Sequence, residues 1–220
     1  MILAIDTSLG TSVAVVEHDG VVRAQADSDD PLRHAEVIGT LLEDALAAAA
    51  QTPGVESRIA HVAAGMGPGP FTGLRIGIAA ARAFALGADG GRGIPLVPVV
   101  SHDAIALDLL LADPFAELPR FAVVTDARRR EFAYSVYDGL DDDGLPRRLH
   151  GPALVHRDEL DATLAALGAE RRDARTVSAA MLAVAAGRAL AAGRVIGPRD
   201  ALYLRSPDIS PVHAPKRVGA

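Results

Sequence analysis

The order of apolar runs, turns and helical stretches along these 220 residues predicts an α/β protein with a mixed sheet. Three observations carry this reading. Residues 2–28 read as three strands joined by tight turns, an antiparallel meander. Stretches with apolar residues at helical spacing then alternate with short apolar strands. Finally, "FAVVTD" at 121–126 restarts the pattern of an apolar run ending in aspartate. A meander followed by helical crossovers suits a mixed sheet better than a fully parallel one.

Each element has its own signal. Residues 2–5 are apolar and end at Asp6, and "TSLGT" turns the chain. "SVAVVEH" and "VVRAQADS" are partner strands around the hairpin signal "DG" at 19–20. In the stretch 34–51, Val37, Ile38, Leu41, Leu42, Ala45, Leu46 and Ala49 recur at helical spacing, with Glu36, Glu43 and Asp44 off that stripe. "TPG" at 52–54 ends this helix. "RIAHVAAG" (58–65) is a buried strand, and "GMGPGPFTGLRIG" leads into a helix from Phe71 to Leu86. "IPLVPVV" (94–100) is a further strand, and Ser101 is the expected N-cap of the helix after it.

The second half echoes the first. "FAYSVYDG" reads as a strand ending in a second DG turn. Asp6 precedes Asp19 by 13 residues, and Asp126 precedes Asp138 by 12, which suggests a duplicated strand–turn–strand unit. Helices follow at 157–167 and 179–192, then a tail without periodicity that is expected to lie along the surface. The boundary between halves falls near residues 100–118.

Composition narrows the function. Hydrophobic residues make up 50% but aromatics only 4%, so much of the apolar content is alanine and the helices carry few large anchors. A net charge of −6 argues against an autonomous nucleic-acid binder. With no cysteine, disulfides, thiolate–zinc sites and cysteine nucleophiles are excluded, which fits a cytoplasmic protein. "MILAIDTS" lacks the form of a signal peptide, and no apolar run is expected to reach the ~20 residues of a membrane span.

The glycine-rich loop raises the question of phosphate binding. A Walker A loop needs a lysine that is absent here, and Arg75 already lies in the helix. Pro68 and Pro70 each remove a backbone N–H from the set that would cradle an anion. The stretch reads better as a tight strand-to-helix turn. Gly73, Gly77 and Ala81 share one helix face on which another backbone can approach, either the chain's own or a partner's. Asp6, Thr7 and Ser8 form a candidate degenerate nucleotide site, with Asp126 as the counterpart of Asp6. Three arginines, Arg128 to Arg130, follow Asp126 where a phosphate-cradling glycine turn would be needed. The histidines form no H-x-x-x-H pair, and no G-x-S-x-G motif is present. No metal site, cofactor or nucleophilic triad is expected.

"MILAIDTS", "LRHAE", "GMGPGPFTGLRIG", "DARRREFAYSVYD" and "YLRSPD" occur in that order over nearly the whole chain. Together they resemble the TsaB/YeaZ family, the dimerisation subunit of the bacterial tRNA threonylcarbamoyladenosine machinery. The resemblance implies an actin-like (hexokinase/Hsp70-type, ribonuclease H-like) fold of two related halves, here 1–110 and a smaller 111–220. It implies a non-catalytic subunit that activates a TsaD-type paralogue. That paralogue transfers a threonylcarbamoyl group to adenosine 37 of tRNA and carries the H-x-x-x-H motif that this chain lacks. Other implied partners are a TsaE-type ATPase and a second copy of the chain when alone, with tRNA reached only through the complex and no membrane.

The implied interface lies on the first two helices. Its candidate residues are His34, Glu36, Val37, Leu41, Leu42, Ala45, Phe71, Thr72, Leu74, Arg75, Ile78 and Ala81. One departure stands out, because Pro70 replaces the family's usual serine and weakens any anion-binding role for the loop. Two other readings remain at this level: a small actin-fold kinase or ATPase built on Asp6 and Asp126, and a peptidase suggested only by distant kinship to TsaD-like proteins.

Overall fold

The computed structural model describes residues 1–30, 32–51, 58–113 and 118–205. Two sheets hold the described residues together. The first carries β1 (Ile2–Asp6), β2 (Thr11–Val16), β3 (Val22–Ser28), β4 (His61–Gly65) and β5 (Leu96–Val99) in the order β3-β2-β1-β4-β5. The second carries β6 (Phe121–Asp126), β7 (Glu131–Leu140), β8 (Pro146–His156) and β9 (Glu170–Asp173) in the order β8-β7-β6-β9. The pairing pattern is the same in both. β1 lies antiparallel to β2 and parallel to β4, while β6 lies antiparallel to β7 and parallel to β9. The echo read from Asp6 and Asp126 is therefore a repeat of topology, and the second copy is one strand shorter.

Among the described residues, five helices fill the layers: α1 (His34–Ala50), α2 (Phe71–Gly91), α3 (Ser101–Ala112), α4 (Leu160–Ala166) and α5 (Ala179–Ala191). Alternation along β1 explains their placement. Leu3 and Ile5 point to one face, where they meet Ile38 and Ala45 of α1 and Leu74, Ile78 and Ala81 of α2. Ile2 and Ala4 point to the other, into a core shared with α3 and α5. That core continues into Phe121, Val123 and Tyr137 of the second sheet, where the Phe121 and Tyr137 rings stack at 5.7 Å. The far face of the second sheet packs Ala122, Val124 and Val136 against Leu160 and Leu164 of α4. The layers thus run helix, sheet, helix, sheet, helix. With so few aromatics, the middle layer relies on alanine: Ala179, Ala183, Ala185, Ala186 and Ala189 of α5 are all fully buried.

Several expected boundaries move. Ser101 is not the N-cap of α3; Val100 takes that place, and the Ser101 hydroxyl is used elsewhere. The DG at 138–139 does not end its strand. β7 runs on to Leu140 through register shifts, and the turn falls at 141–144, where Asp141 Oδ1 accepts from the N–H of Asp143 and Leu145. The expected helix at 157–167 is a 3₁₀ turn, Arg157–Glu159, followed by α4. β8 and β9 lack the apolar signal of a strand: β8 is interrupted by Gly151–Pro152, and β9 reads "ERRD".

"TPG" and most of the tail, from residue 206 onward, lie outside the described residues. α2 is, against expectation, long and apolar enough by composition to cross a membrane. Yet its geometry breaks at Ala88–Gly90, and its face of Gly73, Gly77, Ala81 and Ala85 is packed on the chain's own first sheet.

Candidate functional site

The residues read as a nucleotide site lie sealed under the glycine-rich loop. Asp6, Thr7 and Ser8 are each at most 2% exposed. Asp6 ends β1, and its Oδ1 accepts the Ser8 N–H at 2.7 Å. Its Oδ2 accepts the Ser101 hydroxyl at 2.5 Å and, more weakly, the Ser8 hydroxyl at 3.4 Å. The Ser101 oxygen also accepts the Gly67 N–H at 3.1 Å. Burial pushes the Asp6 carboxyl above its usual range, and the Ser101 and Ser8 hydrogen bonds pull it back. Both carboxylate oxygens are thus occupied by hydrogen bonds within the chain.

The glycines account for the seal. A Cβ on Gly65 would sit 1.8 Å from Asp6 Oδ2, and one on Gly69 2.8 Å from Ser8 Cα. On α2, a Cβ at Gly73 would stand 2.7 Å from the Thr7 carbonyl oxygen, and one at Gly77 2.2 Å from Thr7 Oγ1. Thr7 Oγ1 in turn donates to the Gly73 carbonyl at 2.7 Å. The backbone that approaches the Gly73–Gly77–Ala81 face is therefore the chain's own β1–β2 turn. Pro70 occupies the N-cap position of α2 and offers no side-chain acceptor, so the first turn of that helix lacks the cap a serine would supply.

Asp126 repeats the local geometry of Asp6 in a different environment. Its Oδ1 accepts the N–H of Arg128, two residues on, at 2.9 Å, as Asp6 does for Ser8. But Asp126 is exposed and pairs with Arg157 at 2.9 Å. The following turn holds Arg128, Arg129 and Arg130 at φ of +63°, +50° and +64°. That turn forms one wall of a cleft of about 640 Å³, with Leu9, Leu32, Pro70, Phe71 and Tyr203 among its other lining residues. Asp6 is not among the cleft's lining residues, so the two aspartates do not share one open site.

The twelve helix residues read as interface divide by burial. His34, Ala45, Leu74, Ile78 and Ala81 are buried in the chain's own core, and the His34 Nδ1 bonds Thr11 Oγ1 at 2.9 Å. Val37, Leu41, Leu42 and Phe71 are half-buried, and Glu36, Thr72 and Arg75 are exposed. Arg75 stacks over the Phe71 ring at 4.0 Å, and Phe71 packs on Tyr203 at 4.7 Å. The outward face also contains residues absent from the twelve expected at the interface. On α2 these are Ala79, Arg82, Ala83 and Leu86, the last 73% exposed; on α1 they are Gly39, Thr40 and Glu43. Their own spacing of three and four was the available signal. Among the described residues, no group of three His, Cys, Asp or Glu side chains could hold a metal ion.

A duplicated two-sheet α/β fold with a sealed strand-end aspartate and an outward pair of helices defines the class of protein. In backbone shape it is similar to YeaZ from Pseudomonas aeruginosa, at a TM-score of 0.67 and 23% identity, over 89% of this chain and 94% of that one. A second Pseudomonas aeruginosa structure, described as having similarity to peptidase YeaZ, gives a TM-score of 0.71 at 24% identity over 93% and 99%. The fold is thus the one expected from the resemblance to YeaZ.

A family model described as TsaD, tRNA N6-adenosine threonylcarbamoyltransferase, matches residues 19–154, and the chain belongs to that family. An uncharacterised protein of Mycobacterium tuberculosis is 36% identical over 96% of this chain and 94% of its own length. A tRNA N6-adenosine threonylcarbamoyltransferase of Streptococcus pneumoniae is 34% identical over 60% of this chain, which spans 42% of that enzyme's length.

Proposed function

We propose that this chain is a non-catalytic partner subunit in tRNA N6-threonylcarbamoyladenosine formation at adenosine 37, binding and activating a TsaD-type threonylcarbamoyltransferase. The observation that carries this reading is the contrast between a closed Asp6 and an open helix pair. The Asp6 carboxylate is fully hydrogen-bonded inside the chain, so it is not free to hold a metal-bound phosphate. Meanwhile α1 and α2 lie side by side on one sheet face and turn Gly39, Thr40, Ala79, Ala83 and Leu86 outward. Small residues on paired helices let a partner's helices approach closely.

The halves 1–110 and 111–220 are the repeated units of this subunit. The helix pair belongs to the first. Its occupant in the working complex is the TsaD-type paralogue; a second copy takes the same face when the chain is alone. A TsaE-type ATPase joins the assembly, tRNA is reached only through the complex, and the protein works in the cytoplasm. The chain needs no cofactor of its own.

Size-exclusion chromatography with and without a TsaD-type protein tests this. The expected result is a heterodimer peak at the expense of both free proteins, with tRNA modification only in the reconstituted mixture. Threonylcarbamoyl transfer by the purified chain alone, or two proteins eluting independently, would overturn the reading.

A further inference from the structure

Three consecutive side chains at the start of α3 reach in different directions, because a helix turns about 100° per residue. Ser101 faces the first sheet, where it donates to Asp6 at the end of β1, meets Ser8 Oγ at 2.8 Å and accepts from Gly67. His102 faces the second sheet, with Nδ1 2.9 Å from Ser135 Oγ on β7 and Nε2 3.0 Å from Thr125 Oγ1 on β6. Asp103 accepts the Tyr137 hydroxyl of β7 at 2.7 Å and lies 3.3 Å from Arg148 Nε of β8. All three are buried.

A second strap runs through α5. At its N-terminal end, Ala179 and Ala180 donate their N–H groups to Ser12 of β2 and Gln25 of β3, both at 3.0 Å. At its other end, Arg188 donates to the Gly144 carbonyl, and just beyond it Arg194 pairs with Asp141 and Asp143, all in the β7–β8 turn. The apolar core between these straps is continuous from Ile2 to Tyr137.

Two-lobed proteins that close on a ligand need a few connector residues free to absorb the backbone change. Here the connector itself is held from both sides. We propose that Ser101, His102 and Asp103, with the α5 strap, clamp the two sheets into one rigid body, so that the cleft between Phe71 and the Asp126 turn keeps a fixed width. Opening would strip hydrogen bonds from buried groups that have no water to replace them.

The absence of cysteine permits a direct test. Cysteines replace Val22 on β3 and Ala165 on α4, both exposed, and carry spin labels in protein diluted with unlabelled chain. Electron–electron distance measurement is expected to give one narrow distance, unchanged by Mg-ATP. With Ser101→Ala and Asp103→Ala added, the distribution broadens or gains a second population. Two populations in the parent pair, or a shift on adding Mg-ATP, would overturn the proposal. So would a folded clamp variant that keeps the parent's single narrow distance. The parent measurement decides even where the double variant does not fold. Arg148→Ala, which removes a half-buried partner, is a milder variant expected to broaden the distribution as well; no broadening would count against the clamp.

Discussion

Gly77 sits where two local preferences conflict. In a helix interior, alanine is favoured over glycine by about 1 kcal/mol. Yet the added methyl would stand 2.2 Å from Thr7 Oγ1, a buried group already bonded to Gly73. Overpacking of this kind costs roughly 1–3 kcal/mol, so the clash outweighs the propensity. Gly77→Ala is expected to lower the urea midpoint. Gly39→Ala, with nothing within 4 Å of the added methyl, should raise it by an amount equivalent to roughly 0.5–1 kcal/mol. Equal responses at both sites would mean that α2 does not press on the β1–β2 turn.

At the same scale, His102 and Asp103 pull the acid stability in opposite directions. Burial, aided by the Arg148 charge, pushes the His102 imidazole from 6.5 down to about 3. Its contribution is therefore complete above pH 6.5 and lost as the pH falls toward 3. Burial pushes the Asp103 carboxyl from 3.8 up to about 6, against the pull of Arg148 and Tyr137. Its contribution is complete below pH 3.8 and lost as the pH rises through 6. Acidification from pH 7 to 4 therefore sets a loss at His102 against a gain at Asp103. In His102→Gln, stability relative to its own value at pH 7 is expected to fall less over that range. Urea titrations across pH provide the measurement, and parallel slopes for parent and variant would refute it.

Among the elements, α2 shows what periodicity reveals and what it hides. Helical spacing marks a face, but not which neighbour covers it. Ala81 was expected at a partner contact and is instead fully buried against the first sheet. Leu86, on the opposite face, is 73% exposed. Ala81→Glu should therefore cost several kcal/mol of fold stability, through an unpaired buried carboxylate. Leu86→Glu should leave the melting temperature near that of the parent while weakening co-purification with the TsaD-type partner. The reverse pattern would place the partner on the wrong side of the helix.

The strands tell a similar story. β1 and β6 were legible because both of their faces are covered, which forces an apolar run up to Asp6 and Asp126. β9 was not, since "ERRD" pairs with β6 at a sheet edge and leaves three of its four charged side chains exposed. Nor was the use of Ser101 legible. A serine opening a helix reads as a cap, and only the fold brings it within 2.5 Å of a carboxylate 95 residues away. The sealed aspartate was legible in part: the missing lysine and the two prolines argued against phosphate, but Ser101, which fills Asp6 Oδ2, lies too far along the chain to be read locally.

For the whole molecule, one core runs through both sheets, so the halves should not melt separately. Calorimetry is expected to show a single transition with equal calorimetric and van't Hoff enthalpies. Two resolved transitions would mean that each half is stable alone, despite the shared layer of α3 and α5.

α5 belongs by sequence to the second repeat, yet it covers the first sheet. This return crossing has a consequence for synthesis. While the ribosome is still translating, β1 to β5 can pair and receive α1 and α2 on one side, but on the other side only α3 is yet available. Its alanine-rich cover arrives only with residues 179–191, after every strand of the second sheet has been made. Domains ordinarily fold as they emerge, N-terminal first. Here the first half must wait with an apolar face open to other chains, and a ribosome stalled before residue 179 would hold a product that cannot finish its own core.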